Sequence, residues 1–114
     1  MNETIRGYLR DLLTHITYIE QFTSGGKAAF IADVKTQFAV IRAYEVIGEI
    51  VKRLPSELLA AHPGVDWRQL IRFRDFLAHN YDRVVLNNVW AGVEDLPSLR
   101  GNVTEMLEKL ETEE

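Results

Sequence analysis

An all-α fold, an up-and-down bundle of four to five helices, is what this sequence predicts, and three observations predict it. Apolar residues recur at helical spacing along most of the chain. No long β-branched run alternates with polar residues. Prolines stand only at positions 55, 63 and 97, outside the interiors of the periodic segments.

The first helix is expected over about residues 3–22, where Ile5, Leu9, Leu12, Ile16 and Ile19 repeat at i, i+4, i+7, i+11 and i+14. Thr23-Ser24-Gly25-Gly26 breaks it, and Ser24 is a candidate cap for a short turn through Phe30-Ile31. Asp33 opens a second, long helix whose stripe runs through Val34, Phe38, Ile41, Ile47/Gly48, Val51 and Leu54 until Pro55 stops it. Gly48 costs about 1 kcal/mol inside a helix relative to alanine, so its presence points to the close approach of another helix.

A loop follows over Ala60–Val65, containing Pro63-Gly64. Asp66 then caps a third helix reaching about His79. A fourth helix begins after Tyr81-Asp82 and carries Val85, Leu86, Val89, Trp90 and Val93. Asp95 is the expected cap of the last helix, with Pro97 in its first turn and Leu99, Val103, Met106, Leu107 and Leu110 as its stripe. Trp67 and Trp90 read as core or dimer-interface aromatics.

With 114 residues, 46% hydrophobic and 26% charged, the chain reads as one globular domain spanning 1–114. It contains no cysteine, so disulfides, thiolate metal sites and a Cys nucleophile are excluded. No apolar run reaches the roughly 18–20 residues of a membrane span. Met1-Asn2-Glu3-Thr4 lacks the pattern of a secretory signal, so a cytoplasmic location is expected. A net charge of −4 argues against a generic nucleic-acid coat, and any nucleic-acid contact must come from a local patch.

One helix does not read as plain core. On a wheel with Arg68 at 0°, Arg72, Asp75 and His79 fall at about 40°, 340° and 20°, a narrow polar stripe. Arg74 falls at about 240°, within the arc of Leu70, Leu77, Phe73 and Trp67. A guanidinium there must snorkel, pair with a carboxylate, or face a second chain. Glu45 and Glu49 of the second helix are the candidate partners. Asp75 and His79 are one turn apart, so the carboxylate is placed to accept a hydrogen bond from the imidazole; the plainer alternative is a solvated face with an incidental histidine. Arg74 and His79 lie about 140° apart. Joint action requires the helix to end near His79, or a cleft shared by two chains.

Arg74-Asp75-Phe76-Leu77-Ala78-His79-Asn80-Tyr81 resembles the Arg-x4-His-x-Tyr motif of HepT-like toxins in the HEPN superfamily. Ala39 to Glu49, with Glu45-Val46-Ile47-Gly48-Glu49 at its end, is similar to that family's long second helix. Pro63, Trp67, Ile71, Val89-Trp90 and Leu96-Pro97-x-Leu99 extend the likeness over essentially residues 1–110. Val85 departs from it, since the family often has an acid four positions after the tyrosine.

The resemblance implies an HEPN-like dimeric bundle. It implies a metal-independent endoribonuclease that needs no cofactor and acts as the toxin of a toxin–antitoxin pair. The implied partner is a minimal nucleotidyltransferase antitoxin, which silences the toxin by adenylylating Tyr81. Such chemistry suits these residue types. A histidine, which as a class titrates near pH 6.5, takes the proton of a 2′-hydroxyl, and a planar guanidinium clamps the phosphate under attack. His79 and Arg74 are the catalytic candidates. Asp75 is expected to orient His79, Tyr81 to stack on a base or bind phosphate, and Arg68, Arg72 and Arg83 to steer the RNA backbone. A non-catalytic binding protein, pairing with a nucleotidyltransferase or holding a nucleotide in the same cleft, is the competing reading. Ser24-Gly25-Gly26-Lys27 lacks P-loop spacing, and neither His15 nor His62 has ligands at metal spacing.

Overall fold

Amphipathic periodicity becomes four long helices in the computed structural model, which describes residues 2–113: α1 (Asn2–Phe22), α3 (Val34–Lys52), α5 (Trp67–His79) and α7 (Leu96–Thr112). Three short helices connect them, α2 (Lys27–Ala32), α4 (Ser56–Ala60) and α6 (Leu86–Glu94), and a 3-10 turn, Tyr81–Arg83, follows α5. No strand occurs among the described residues. The bundle therefore has the predicted class; α6 is the expected fourth helix, while α2 stands where a short turn was expected and α4 was not foreseen.

The long helices pack in the order α5, α3, α1, α7. Leu9, Leu12, Ile16 and Ile19 of α1 are fully buried, and Leu99, Val103 and Met106 of α7 join them. Arg10 pairs with Glu111 and Arg100 with Glu20, so α1 and α7 run antiparallel. Trp67 is buried and donates from Nε1 to the His62 carbonyl at 2.9 Å; Trp90 packs on Phe30 with ring centroids 5.5 Å apart.

Several local expectations are corrected. Ser24 caps nothing: α2 starts behind Gly26, whose φ of 91° is a conformation suited to glycine. Asp33 and Asp66 do cap, accepting from the backbone N–H of Lys35 and Gln69. Asp95 occupies the N-cap position of α7 with helical φ and ψ, so its side chain makes no capping bond. On α3 the buried face is Val40, Ala43, Tyr44, Ile47, Gly48, Ile50 and Val51. Val34 and Phe38 of the expected stripe stand 60% and 70% exposed, because they lie about 120–160° around α3 from the centre of that buried face.

Candidate active site

Gly48 sets the position of the site. α5 presses on α3 at this point, and a β-carbon at Gly48 would overlap the Cβ of Arg74 and lie 2.6 Å from its Cγ. The bare backbone of one helix thus makes room for the stem of an arginine on the next. This is the close approach that the glycine implied from sequence.

Beyond Gly48 the guanidinium meets two carboxylates. Arg74 Nη1 donates to Asp75 Oδ1 at 3.0 Å, and Arg74 Nη2 lies 3.0 Å from Glu49 Oε2. The second contact is ionic without hydrogen-bond alignment, and both Glu49 Oε2 and Arg74 Nε are buried with no hydrogen-bond partner among the described residues. Glu49, of the two carboxylates expected from α3, is the one that pairs with Arg74; Glu45 lies 3.9 Å from Arg42 instead. Lys52 and Arg53 complete the network, 3.5 Å from Asp75 and 3.8 Å from Glu49. Both escaped the sequence reading, although Glu49 and Arg53 stand at i, i+4 on α3.

Asp75 corrects another expectation. Its carboxylate is turned to Arg74 and Lys52, not to the imidazole of His79. The hydrogen bond from Arg74 and, less strongly, the Lys52 charge hold its carboxyl below the usual aspartate range against some desolvation. His79 is oriented by the main chain: Nδ1 lies 2.8 Å from the Asp75 carbonyl oxygen. A carbonyl only accepts, so Nδ1 carries a proton, and in the neutral ring the lone pair is on Nε2. One residue thereby holds both catalytic candidates, Arg74 through its side chain and His79 through its backbone.

The helix ends where joint action requires. Asn80 N–H closes the last turn on the Phe76 carbonyl at 2.9 Å, and the chain turns into Tyr81–Arg83. Tyr81 stands 88% exposed. Arg68, Arg72 and Arg83 are exposed and make no ion pair among the described residues. By contrast Arg6, Arg10, Arg42, Arg53, Arg74 and Arg100 each have a carboxylate partner.

Arg74 opens into a groove of about 360 Å³ between α1 and α3, lined by His15, Arg42, Glu45, Glu49 and Arg53 among others. His15 meets Tyr18 edge-on, and Tyr18 stacks on Phe22, so the groove continues into exposed aromatic surface. No group of three or more His, Asp or Glu that could hold a metal ion occurs among the described residues. No helix among them is long and apolar enough to cross a membrane.

The sequence profile of the HepT-like ribonuclease family matches residues 12–106. Over 103 residues the chain is 44% identical to a Thermococcus cleftensis protein named probable ribonuclease HepT, covering 89% of this chain and 94% of the relative. It is 35% identical over 112 residues to the RNase candidate MJ0127 of Methanocaldococcus jannaschii, covering 96% and 93% of the two chains. The RNase candidate TTE0752 of Caldanaerobacter subterraneus is 32% identical over 109 residues, covering 94% and 97%. No solved structure matches the chain.

Proposed function

The chain belongs to the HepT-like ribonuclease family, and from that premise we propose that it cuts RNA internally, without a metal ion, at a site built from Arg74 and His79. The observation that carries this reading is the double use of Asp75. Its carbonyl fixes the tautomer that leaves His79 Nε2 basic, while its carboxylate holds the adjacent guanidinium.

In the proposed reaction Nε2 takes the proton of a ribose 2′-hydroxyl, and that oxygen attacks the neighbouring phosphorus. The bond to the 5′-oxygen breaks, and the leaving oxygen takes a proton from solvent, which reaches the exposed His79. The products are a 2′,3′-cyclic phosphate and a free 5′-hydroxyl. Arg74 stabilises charge on the non-bridging phosphate oxygens. Arg68, Arg72 and Arg83 supply the local positive field that the net charge of −4 does not.

Cleavage of total RNA and tRNA by the purified protein in chelator, beside His79→Ala, tests the reading. His79 is exposed, so the variant keeps its fold. RNA loss with wild type alone supports the mechanism; undiminished loss with the variant overturns it.

We further propose that the protein acts as a toxin paired with a nucleotidyltransferase antitoxin that adenylylates Tyr81. The exposure of this side chain supports the assignment, since the hydroxyl is accessible to a second enzyme. Modification would place an anionic group two residues from His79 and repel the substrate phosphate. A mass increase of one adenylyl group on co-expression, absent in Tyr81→Phe, is the expected result. A dimer is supported by Tyr18, Phe22, Val34 and Phe38, exposed where α1 ends and α3 begins, on surface continuous with the Arg74 groove.

The two carboxylates on Arg74 favour a second reading, a non-catalytic binding protein, because a phosphate must compete with them. RNA left intact by protein of unmodified mass decides for that reading.

A further inference from the structure

A second cavity lies on the other flank of α5 from Arg74, among α3, α5, α6 and α7. Its volume is about 620 Å³, within the roughly 300–1,000 Å³ of ligand pockets. Phe73 and Phe76 of α5 form one wall and Tyr44 of α3 another, with Gln69, Asn88 and Asp95 among the polar lining.

Three features of this cavity are unspent. Tyr44 is 3% exposed, yet its hydroxyl has no hydrogen-bond partner among the described residues. Gly92 keeps that space open, since a β-carbon there would lie 2.7 Å from the Tyr44 oxygen. Asp95, placed to cap α7, caps nothing. After burial, its carboxylate is what raises the Tyr44 hydroxyl above the usual tyrosine range, so the phenol stays a donor and Asp95 an acceptor.

Positive charge stands next to the lining residues along the chain, Arg68 beside Gln69, Arg72 beside Phe73 and Arg83 beside Val84. Arg72 stands one turn from both Gln69 and Phe76 on α5, and His79 one turn beyond Phe76. Arg68, Arg72 and Arg83 are the arginines without ion pairs among the described residues, and all lie on α5 or the turn after it. The cavity thus has aromatic walls, with two carboxylates, Asp66 and Asp95, and two amides along its solvent-facing lining, and free guanidiniums on adjoining turns of the chain. The carboxylates disfavour a phosphate within the cavity, and the neighbouring guanidiniums favour one outside it. A planar base is accepted inside: its face meets Phe73 and Phe76, and an amino group donates to Asp95.

We infer that this cavity is a base-binding subsite for the RNA cut at His79, taking an unstacked nucleobase with an exocyclic amino group while Arg72 holds the adjoining phosphate. The inference rests on the ribonuclease reading, and it makes the substrate single-stranded at the bound nucleotide.

Binding, read separately from cleavage, tests it. Fluorescence anisotropy of His79→Ala with labelled oligo(A), oligo(C), oligo(U) and an abasic ribose-phosphate oligomer is the measurement. Oligo(A) and oligo(C) are expected to bind at least about tenfold tighter than the abasic oligomer and several-fold tighter than oligo(U). Asn88→Trp, an exposed position at the pocket, should erase the preference over the abasic chain and leave abasic binding within about twofold. Asp95→Asn, a conservative change that protects against a folding artefact, should erase the preference over oligo(U). Equal affinity for base-bearing and abasic chains overturns the inference, as does a preference that survives both substitutions. Dissociation of a dimer by Asn88→Trp with the preference intact also overturns it, and assigns the cavity to a second copy of the chain. Failure of wild type to cleave RNA bears on the reaction and leaves the binding result interpretable.

Discussion

Gly48 and Arg74 occupy complementary space: the β-carbon that the glycine lacks would overlap the β-carbon of the arginine. The obstacle is the rigid start of a side chain rather than a mobile end, so α5 itself must move to admit a methyl group. Gly48→Ala gains about 1 kcal/mol of helix propensity and incurs overpacking of about 1–3 kcal/mol. A net loss of stability in urea denaturation is expected, with RNA cleavage reduced at least about tenfold because Arg74 is displaced. Unchanged cleavage would show that the separation of α3 and α5 does not place the guanidinium.

Glu49 holds Arg74 from the facing helix, and Asp75 holds it from its own. Glu49→Ala leaves the guanidinium with one carboxylate and freedom to swing. Both groups are partly solvated, so the stability loss should be only about 1 kcal/mol. The kinetic loss should fall mainly on kcat, because a mobile clamp is poorly placed in the transition state. Glu49→Gln, which keeps the shape, should recover part of it. A change confined to KM contradicts this positioning role.

Asp75 lowers the net charge that Arg74 offers to phosphate. Asp75→Asn keeps an acceptor and the backbone carbonyl on His79 while removing one negative charge. KM for RNA should fall several-fold, with kcat nearly unchanged. The folded carboxyl titrates below its ordinary 3.8. Its stabilising contribution is therefore complete above that value and is lost as pH falls through the depressed one. The stability difference between wild type and Asp75→Asn should stay level from about pH 5 to 8 and shrink only below about pH 4. A difference that grows toward acid pH would reverse the assignment.

Phe38 is the most exposed of the large apolar side chains at the α1–α3 end after Tyr81 at the motif is set aside. Phe38→Glu removes no buried contact and should change the stability of the single chain by no more than about 0.5 kcal/mol. If this surface joins two copies, light scattering should report a dimer for wild type and a monomer for the variant. A dimer that survives the substitution moves the interface elsewhere.

The helical class, the start of each capped helix and the buried faces of α1 and α7 were legible in the sequence because they depend on residues three or four apart. Asp33 and Asp66 cap from within their own first turns, and Leu9 to Ile19 repeat on one side of one helix. Glu49 as a carboxylate partner of Arg74 and the reason for Gly48 were equally legible. What the sequence left open depended on which surfaces meet. Val34 and Phe38 continue the apolar spacing of α3, yet they stand 60% and 70% exposed, since periodicity records a face without its partner. Asp75 stands one turn from His79, but Lys52 and Arg74 draw its carboxylate the other way and leave the backbone carbonyl to fix the imidazole. The Tyr44 cavity joins side chains from α3, α5, α6 and α7. Local spacing along one chain segment determines a helix and its faces; only packing decides where a charged side chain finds its counter-charge.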